Sequence, residues 1–141
     1  MFFLDRLGDR RDQPLIAGLG ERLRGGQTSG GGWTYMCAAN PAAAGGLGQL
    51  PVMGGMFGGD NSNTQFALLG LWVARRHNVN VKEALERTDK YFRNSQDQDG
   101  GWSYISMLTG GVRSAQAAGA GGAGNSTGAM TCAGLLGLLV Q

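Results

Sequence analysis

The chain has 141 residues, 42% of them hydrophobic, which suffices for one domain with a core, and its 12 basic and 10 acidic residues leave a net charge of +2. That excess is too small for a nucleic-acid footprint, and no basic run is interleaved with aromatics. No window reaches the ~18 continuous apolar residues of a membrane span, and the acids and arginines of "MFFLDRLGDRR" interrupt the apolar stretch a secretory signal would carry.

In chain order, the first predicted element is an amphipathic helix starting around Asp12, with Pro14 in its first turn and Leu15, Ile16, Leu19 and Leu23 as the apolar stripe. It runs into "QTSGGGWTY", Gln27 to Tyr35, and then into a Gly-rich tract. "DNSN" from Asp60 reads as a helix cap before "TQFALLGLWVA", which is apolar nearly all round and so is expected to be covered on most faces. Arg75, Arg76 and His77 close that helix, where positive charge suits the negative end of the dipole. A second amphipathic helix, "NVKEALERTDKYFRNSQ", is expected to begin with Asn80 as N-cap and to bury Val81, Leu85, Thr88 and Phe92. It leads into "QDQDGGWSY", a second Gly-rich tract, the cap "GNST" and a last apolar helix, "MTCAGLLGLLV".

These elements recur. Trp102 follows Trp33 by 69 positions, and the same offset pairs Gln27 with Gln96, Gly32 with Gly101, Tyr35 with Tyr104 and Leu23 with Phe92. Downstream, an offset of 67 aligns Thr64, Leu68 and Gly70 with Thr131, Leu135 and Gly137; the two-residue difference falls in the Gly-rich tracts, where loop length changes at small entropic cost. Repeat 1 covers about 12–77 and repeat 2 about 80–141, each an amphipathic outer helix followed by an apolar inner one. By the same projection Phe2, Phe3 and Leu4 fall on Leu71, Trp72 and Val73, so residues 1–10 read as the end of a preceding inner helix.

The two stretches Gln27–Trp33 and Gln96–Trp102 share the frame Q-x-x-x-G-G-W. Glycines let the chain turn tightly, the indole packs against the glutamine, and the amide reaches backbone groups at a helix end. Gln27, Gly32, Trp33, Gln96, Gly101 and Trp102 are therefore structural candidates; Asp97 and Asp99 have no counterpart in the first copy, where Thr28 and Gly30 stand.

With helices alternating at this period, the chain resembles the prenyltransferase and squalene oxidase repeat family, whose members include terpenoid cyclases and protein prenyltransferase β subunits. The resemblance rests on the two QW motifs and spans nearly all of the chain. It implies an all-α fold, here two helix-pair repeats of an α/α toroid with long Gly-rich loops, forming a single partial domain over 1–141. A complete toroid uses more pairs than two, so the expected partners are a homo-oligomer or missing neighbouring repeats, together with an apolar ligand.

The chemistry of that family leaves few marks. Neither the D-x-D-D nor the D-C-T-A-E acid motif of its cyclases occurs, and the close Asp-x-Cys pairing of its zinc-dependent transferases is missing. No catalytic residue, metal ligand or cofactor is expected. Cys37 and Cys132 lack a CxxC spacing and read as free, mostly buried thiols, with a disulfide the alternative in an exported parent. "GAGGAG" has no preceding strand and no Walker lysine to support a nucleotide site. Met36, Met53, Met56 and Phe57 could form an adaptable apolar rim. Asp60, Asn61, Asn125 and Ser126, just before the apolar helices, are the ligand-binding candidates, because the N–H groups there can receive anionic or carbonyl groups. The expected function is a non-catalytic repeat module that binds a partner or an apolar ligand; the alternative is a fragment of a cyclase-like or transferase-like enzyme whose catalytic residues lie outside this chain.

Overall fold

A computed structural model describes residues 1–35, 59–104 and 126–140. Over these residues the protein is all-α: five helices, no strand, and one isolated antiparallel bridge between Trp33 and Asp60. Cys37, Asn125, Met36, Met53, Met56, Phe57 and the "GAGGAG" segment lie outside the described residues.

Helix α1, Phe2–Leu7, stops at Gly8, whose φ of 74° lets its N–H return to Leu4 O. A short 3-10 turn, Arg10–Asp12, begins under Asp9, which accepts from Arg11 N. Helix α2, Gln13–Gly25, has Pro14 in its first turn, where a missing N–H costs nothing, and Arg22 and Arg24 in its last. Helix α3, Asn61–Arg76, is capped by Asp60, which accepts from Asn63 N. Helix α5, Gly128–Leu139, is capped in the same way by Thr127 from Met130 N.

Helix α4, Lys82–Asn94, departs from expectation at its start. Val81 rather than Asn80 is the N-cap, and Asn80 Oδ1 reaches Lys82 N at only 3.4 Å. Val81 is 2% exposed, so burying its side chain sets where the helix enters.

Helix α3 is central. It packs between α2 and α5, α4 lies against both α3 and α5, and α1 rests on α3. Gly20 permits the close approach of α2 to α3, since a Cβ there would lie 2.5 Å from that of Ala74. The core is formed by Trp33, Leu68, Leu71, Tyr91, Phe92 and Trp102, with Tyr91 and Phe92 meeting edge to face at 5.3 Å.

α1 is tied to the far end of α3 by charge. Asp5 accepts from Arg76 Nη1 at 3.0 Å and pairs with His77 Nε2 at 2.8 Å, so His77 joins two helices besides being the C-cap of α3.

Cys132 corrects an expectation: it is exposed, not buried. The reason is the position of α5. Apolar composition predicted cover on most faces, but no described element lies over the side bearing Cys132, Leu135 and Leu139. Phe3, Leu7, Leu15 and Phe66 are likewise exposed.

Candidate functional site

Two turns rich in glycine connect the helices, and each is built from the same bonds. After α2, Thr28 N donates to Gly32 O at 2.9 Å and Gly31 N to Thr28 O at 3.0 Å, with Gly31 at φ 92°. After α4, Asp97 N donates to Gly101 O at 2.8 Å and Gly100 N to Asp97 O at 2.9 Å, with Gly100 at φ 84°. A positive φ of this size is one that only glycine adopts cheaply, which explains the residue type in both turns. Gln27 and Gln96 reinforce the turns from outside, their amides donating to Gly31 O at 2.8 Å and Gly100 O at 2.7 Å.

The tryptophans fasten each turn to two helices. Trp33 Nε1 donates to Leu23 O at 2.8 Å, and Trp102 Nε1 to Phe92 O at 2.9 Å, adding to the Gly26 N–H and the Ser95 hydroxyl that these helix-end carbonyls also accept from. Both indoles are buried, at 2% and 1% exposure. Their backbone N–H groups donate to the following helix, Trp33 to Thr64 Oγ1 at 2.9 Å and Trp102 to Thr131 Oγ1 at 3.3 Å. Their carbonyls accept from the residue that caps that helix, Asp60 N and Thr127 N, each at 2.9 Å. Gly32 and Gly101 are buried just before the indoles.

The ligand-binding candidates do not form one group. Asp60 accepts from Asn63 N and Asn63 Nδ2, each at 2.7 Å. Asn61 is fully buried; its Nδ2 donates to Ser103 O at 2.6 Å and its backbone N to Tyr104 O at 3.0 Å, while its Oδ1 meets no partner among the described residues. Ser126 stands at the other helix start, where its hydroxyl donates to Asp99 Oδ2. Thus Asp60 and Asn61 anchor α3 to both turns, and Ser126 anchors the approach to α5.

Asp99 is a residue whose part composition concealed. It accepts from Ser126 and from Gly101 N at 3.0 Å, and these two bonds, the Ser126 hydroxyl first, hold its carboxyl below the usual carboxylate range. The nearest sequence signal was the match of "GNST" with "DNSN", which marked Ser126 but not its partner.

Tyr35 and Tyr104, equivalent by the 69-residue offset, touch through their hydroxyls. Hydrogen bonding to Tyr35, followed by desolvation, pushes Tyr104 up to about 12. Tyr91 is raised chiefly by burial, its hydroxyl donating to Gly59 O at 3.2 Å.

Among the described residues no three His, Cys, Asp or Glu side chains gather to hold a metal ion. A cleft of about 410 Å³ between the end of α3 and the start of α4 has a mostly apolar lining, with Val79, Val81 and Leu85 set among Arg75, Asn80, Lys82 and Glu86. No helix of the described residues is long and apolar enough to cross a membrane. No family model, curated protein or solved structure matches the chain.

Proposed function

We propose that this protein is a prenyltransferase/squalene-oxidase-type repeat module, two helix pairs of an α/α toroid, that binds a partner or an apolar ligand and is not catalytic by itself. The observation that carries the reading is the recurrence of one bond: the indole N–H of Trp33 on Leu23 O and that of Trp102 on Phe92 O, at the same spacing in two turns. In this reading α2 and α4 are outer helices, α3 and α5 inner ones, and each tryptophan pins the end of an outer helix to the start of the next inner one.

Binding rather than chemistry is supported by the state of four aspartates, Asp97 standing apart with a buried Oδ2 that meets no partner among the described residues. An acid able to protonate an apolar substrate needs its pKa raised by a dry, unpaired setting. Asp9 and Asp99 are both displaced downward, by hydrogen bonds from Arg11 and from Ser126 with Gly101. Asp5 and Asp89 are engaged with Arg76 and Arg93. Binding surface is supported by the apolar side chains that α3 and α5 leave uncovered, with Phe66 64% and Leu139 81% exposed.

The test is titration with a long-chain isoprenoid alcohol, following Trp72 emission, with native mass spectrometry of the same samples. Trp72 lies on α3 and is 38% exposed, whereas Trp33 and Trp102 are buried. A saturable change in emission with a matching mass increment is expected. Flat emission, together with a bare protein mass throughout, overturns the apolar-ligand half of the reading, and a monomer mass at every concentration overturns the partner half.

A further inference from the structure

The chain passes from α3 into α4 through a link that backbone bonds fix on both sides. His77 closes α3, Asn78 takes the left-handed conformation at φ 65° that asparagine tolerates, and Val79 N donates to Ala74 O at 3.2 Å. Val81 O then accepts from Leu85 N at 2.9 Å as α4 begins. The cleft of about 410 Å³ lies in this link. Its floor is Val79, Val81 and Leu85, which are 6%, 2% and 6% exposed, so the side chains that shape it are held by the core beneath. A cleft with walls fixed in this way is formed before anything enters it, and its size suits a small molecule.

The whole lining belongs to the link and to the two helix ends it joins. Residues 34–59 and 103–126 leave and return at the other end of α3, where Asp60 N meets Trp33 O and Thr127 N meets Trp102 O. Helix α3 has 16 residues, which sets about 24 Å between those points and the cleft.

The apolar floor is not a requirement of the repeat. Shifted by 69, Val79 and Val81 fall on Arg10 and Asp12, in the link from α1 to α2. Charge at the rim is uneven. Lys82 Nζ has Glu86 Oε1 at 3.9 Å, one turn along α4, whereas the Arg75 guanidinium meets no partner among the described residues. Helix α4 begins without a side-chain cap, so the positive end of its dipole adds to the charge of Arg75. Glu86 repels an anion from the α4 side and directs it toward Arg75.

We propose that this cleft binds a single-chain amphiphile with a carboxylate head, its chain over Val79, Val81 and Leu85 and its head on Arg75. An uncharged chain leaves Arg75 unanswered, and a small anion leaves the floor in water; a ligand with both parts matches both features. The site lies apart from Phe66 and Leu139, on which the module reading draws, and it stands or falls independently of that reading.

Amide NMR titration of the full chain with octanoate tests the site, with octanol and acetate as partial ligands. Octanoate is expected to give saturable shifts at residues 79–86 and at the end of α3, octanol to bind there about tenfold more weakly, and acetate to cause no saturable shift. Arg75→Gln, at an exposed position in the last turn of α3, should weaken octanoate about tenfold, the scale of one charge-assisted hydrogen bond, and leave octanol unchanged. Asn80→Trp, at an exposed rim position, should block both chains. Thermal melts show whether each variant keeps the fold, and Arg75→Gln decides alone if Asn80→Trp does not. No saturable shift with octanoate, shifts confined to other parts of the chain, or equal octanoate affinity in Arg75→Gln and the wild type would overturn the proposal.

Discussion

The hydroxyls of Tyr35 and Tyr104 lie 2.5 Å apart, although 69 residues separate them in the chain. Each follows its tryptophan by two positions, and Tyr104 O also accepts from Asn61 N at the start of α3. Two turns that leave different helices therefore converge on one helix start.

That contact predicts a pH dependence. Tyr104 is raised to about 12 in the fold, so between the ordinary tyrosine value near 10 and that value the folded state holds a proton that the unfolded state has lost. The stabilisation is complete below about pH 10 and disappears as pH rises through about 12. Tyr35→Phe should bring the Tyr104 titration, followed by phenolate absorbance, back toward the ordinary value. It should also flatten the alkaline loss of stability seen in urea unfolding at successive pH values.

Truncating an indole should be among the most damaging single changes. Trp102 is 1% exposed and packs against Gly134. Trp102→Ala is expected to cost roughly 3–5 kcal/mol by equilibrium urea unfolding, as for other large core truncations. Trp102→Phe keeps a ring and takes the indole donor from Phe92 O, which retains the Ser95 hydroxyl at 3.2 Å, so it should cost less, with about 0.5–1.5 kcal/mol from the lost hydrogen bond. Equal losses for the two variants would mean that the hydrogen bond contributes little.

The paired glycines give an internal control. Gly31 and Gly100 both sit at positive φ, so alanine at either should cost about 1–2 kcal/mol from the backbone alone. Gly31→Ala adds a collision with the Arg87 carbonyl, whereas Gly100→Ala meets nothing within 4 Å among the described residues. Thermal unfolding of the isolated monomer should therefore show the larger drop for Gly31→Ala.

Asp99 predicts behaviour on the acid side. Its folded pKa lies below the usual 3.8, so the bonds to Ser126 and Gly101 support the fold above that value and are lost as pH falls through the lowered one. Asp99→Asn should shrink the acid dependence of the melting temperature below about pH 4 while changing little at neutral pH. Ser126→Ala, which removes the hydroxyl that lowers Asp99 most, should raise the Asp99 titration measured by carboxyl NMR.

Much of this arrangement was legible in the residues. Pro14, Asp60 and the paired arginines at 75 and 76 mark helix ends through backbone chemistry that acts locally, and α2 and α3 begin or end where those signals stand. The all-α character followed from the same patterning. Other features depend on distances in space that no local pattern encodes. Asp5 meets Arg76 and His77 from 71 and 72 positions away, and Asp99 meets Ser126 across an intervening Gly-rich tract. Asn80 looked like a cap because its type and the glutamate three residues on fit a capping box, but burial of Val81 set the boundary one residue later. Cys132 looked buried because α5 is apolar throughout, and sequence cannot say which side of such a helix has a neighbour.

The bond from Asp60 N to Trp33 O, and its counterpart from Thr127 N to Trp102 O, bring the ends of residues 34–59 and 103–126 together at a single backbone contact each. Entry to and exit from each span are thus fixed side by side by backbone bonding. Such doorways are natural places for grafting: a peptide or a whole small domain inserted there would begin and finish at the same point, and its length would add only a slowly growing closure entropy. The unequal spans already present, 26 and 24 residues, are a small instance of that tolerance within one molecule.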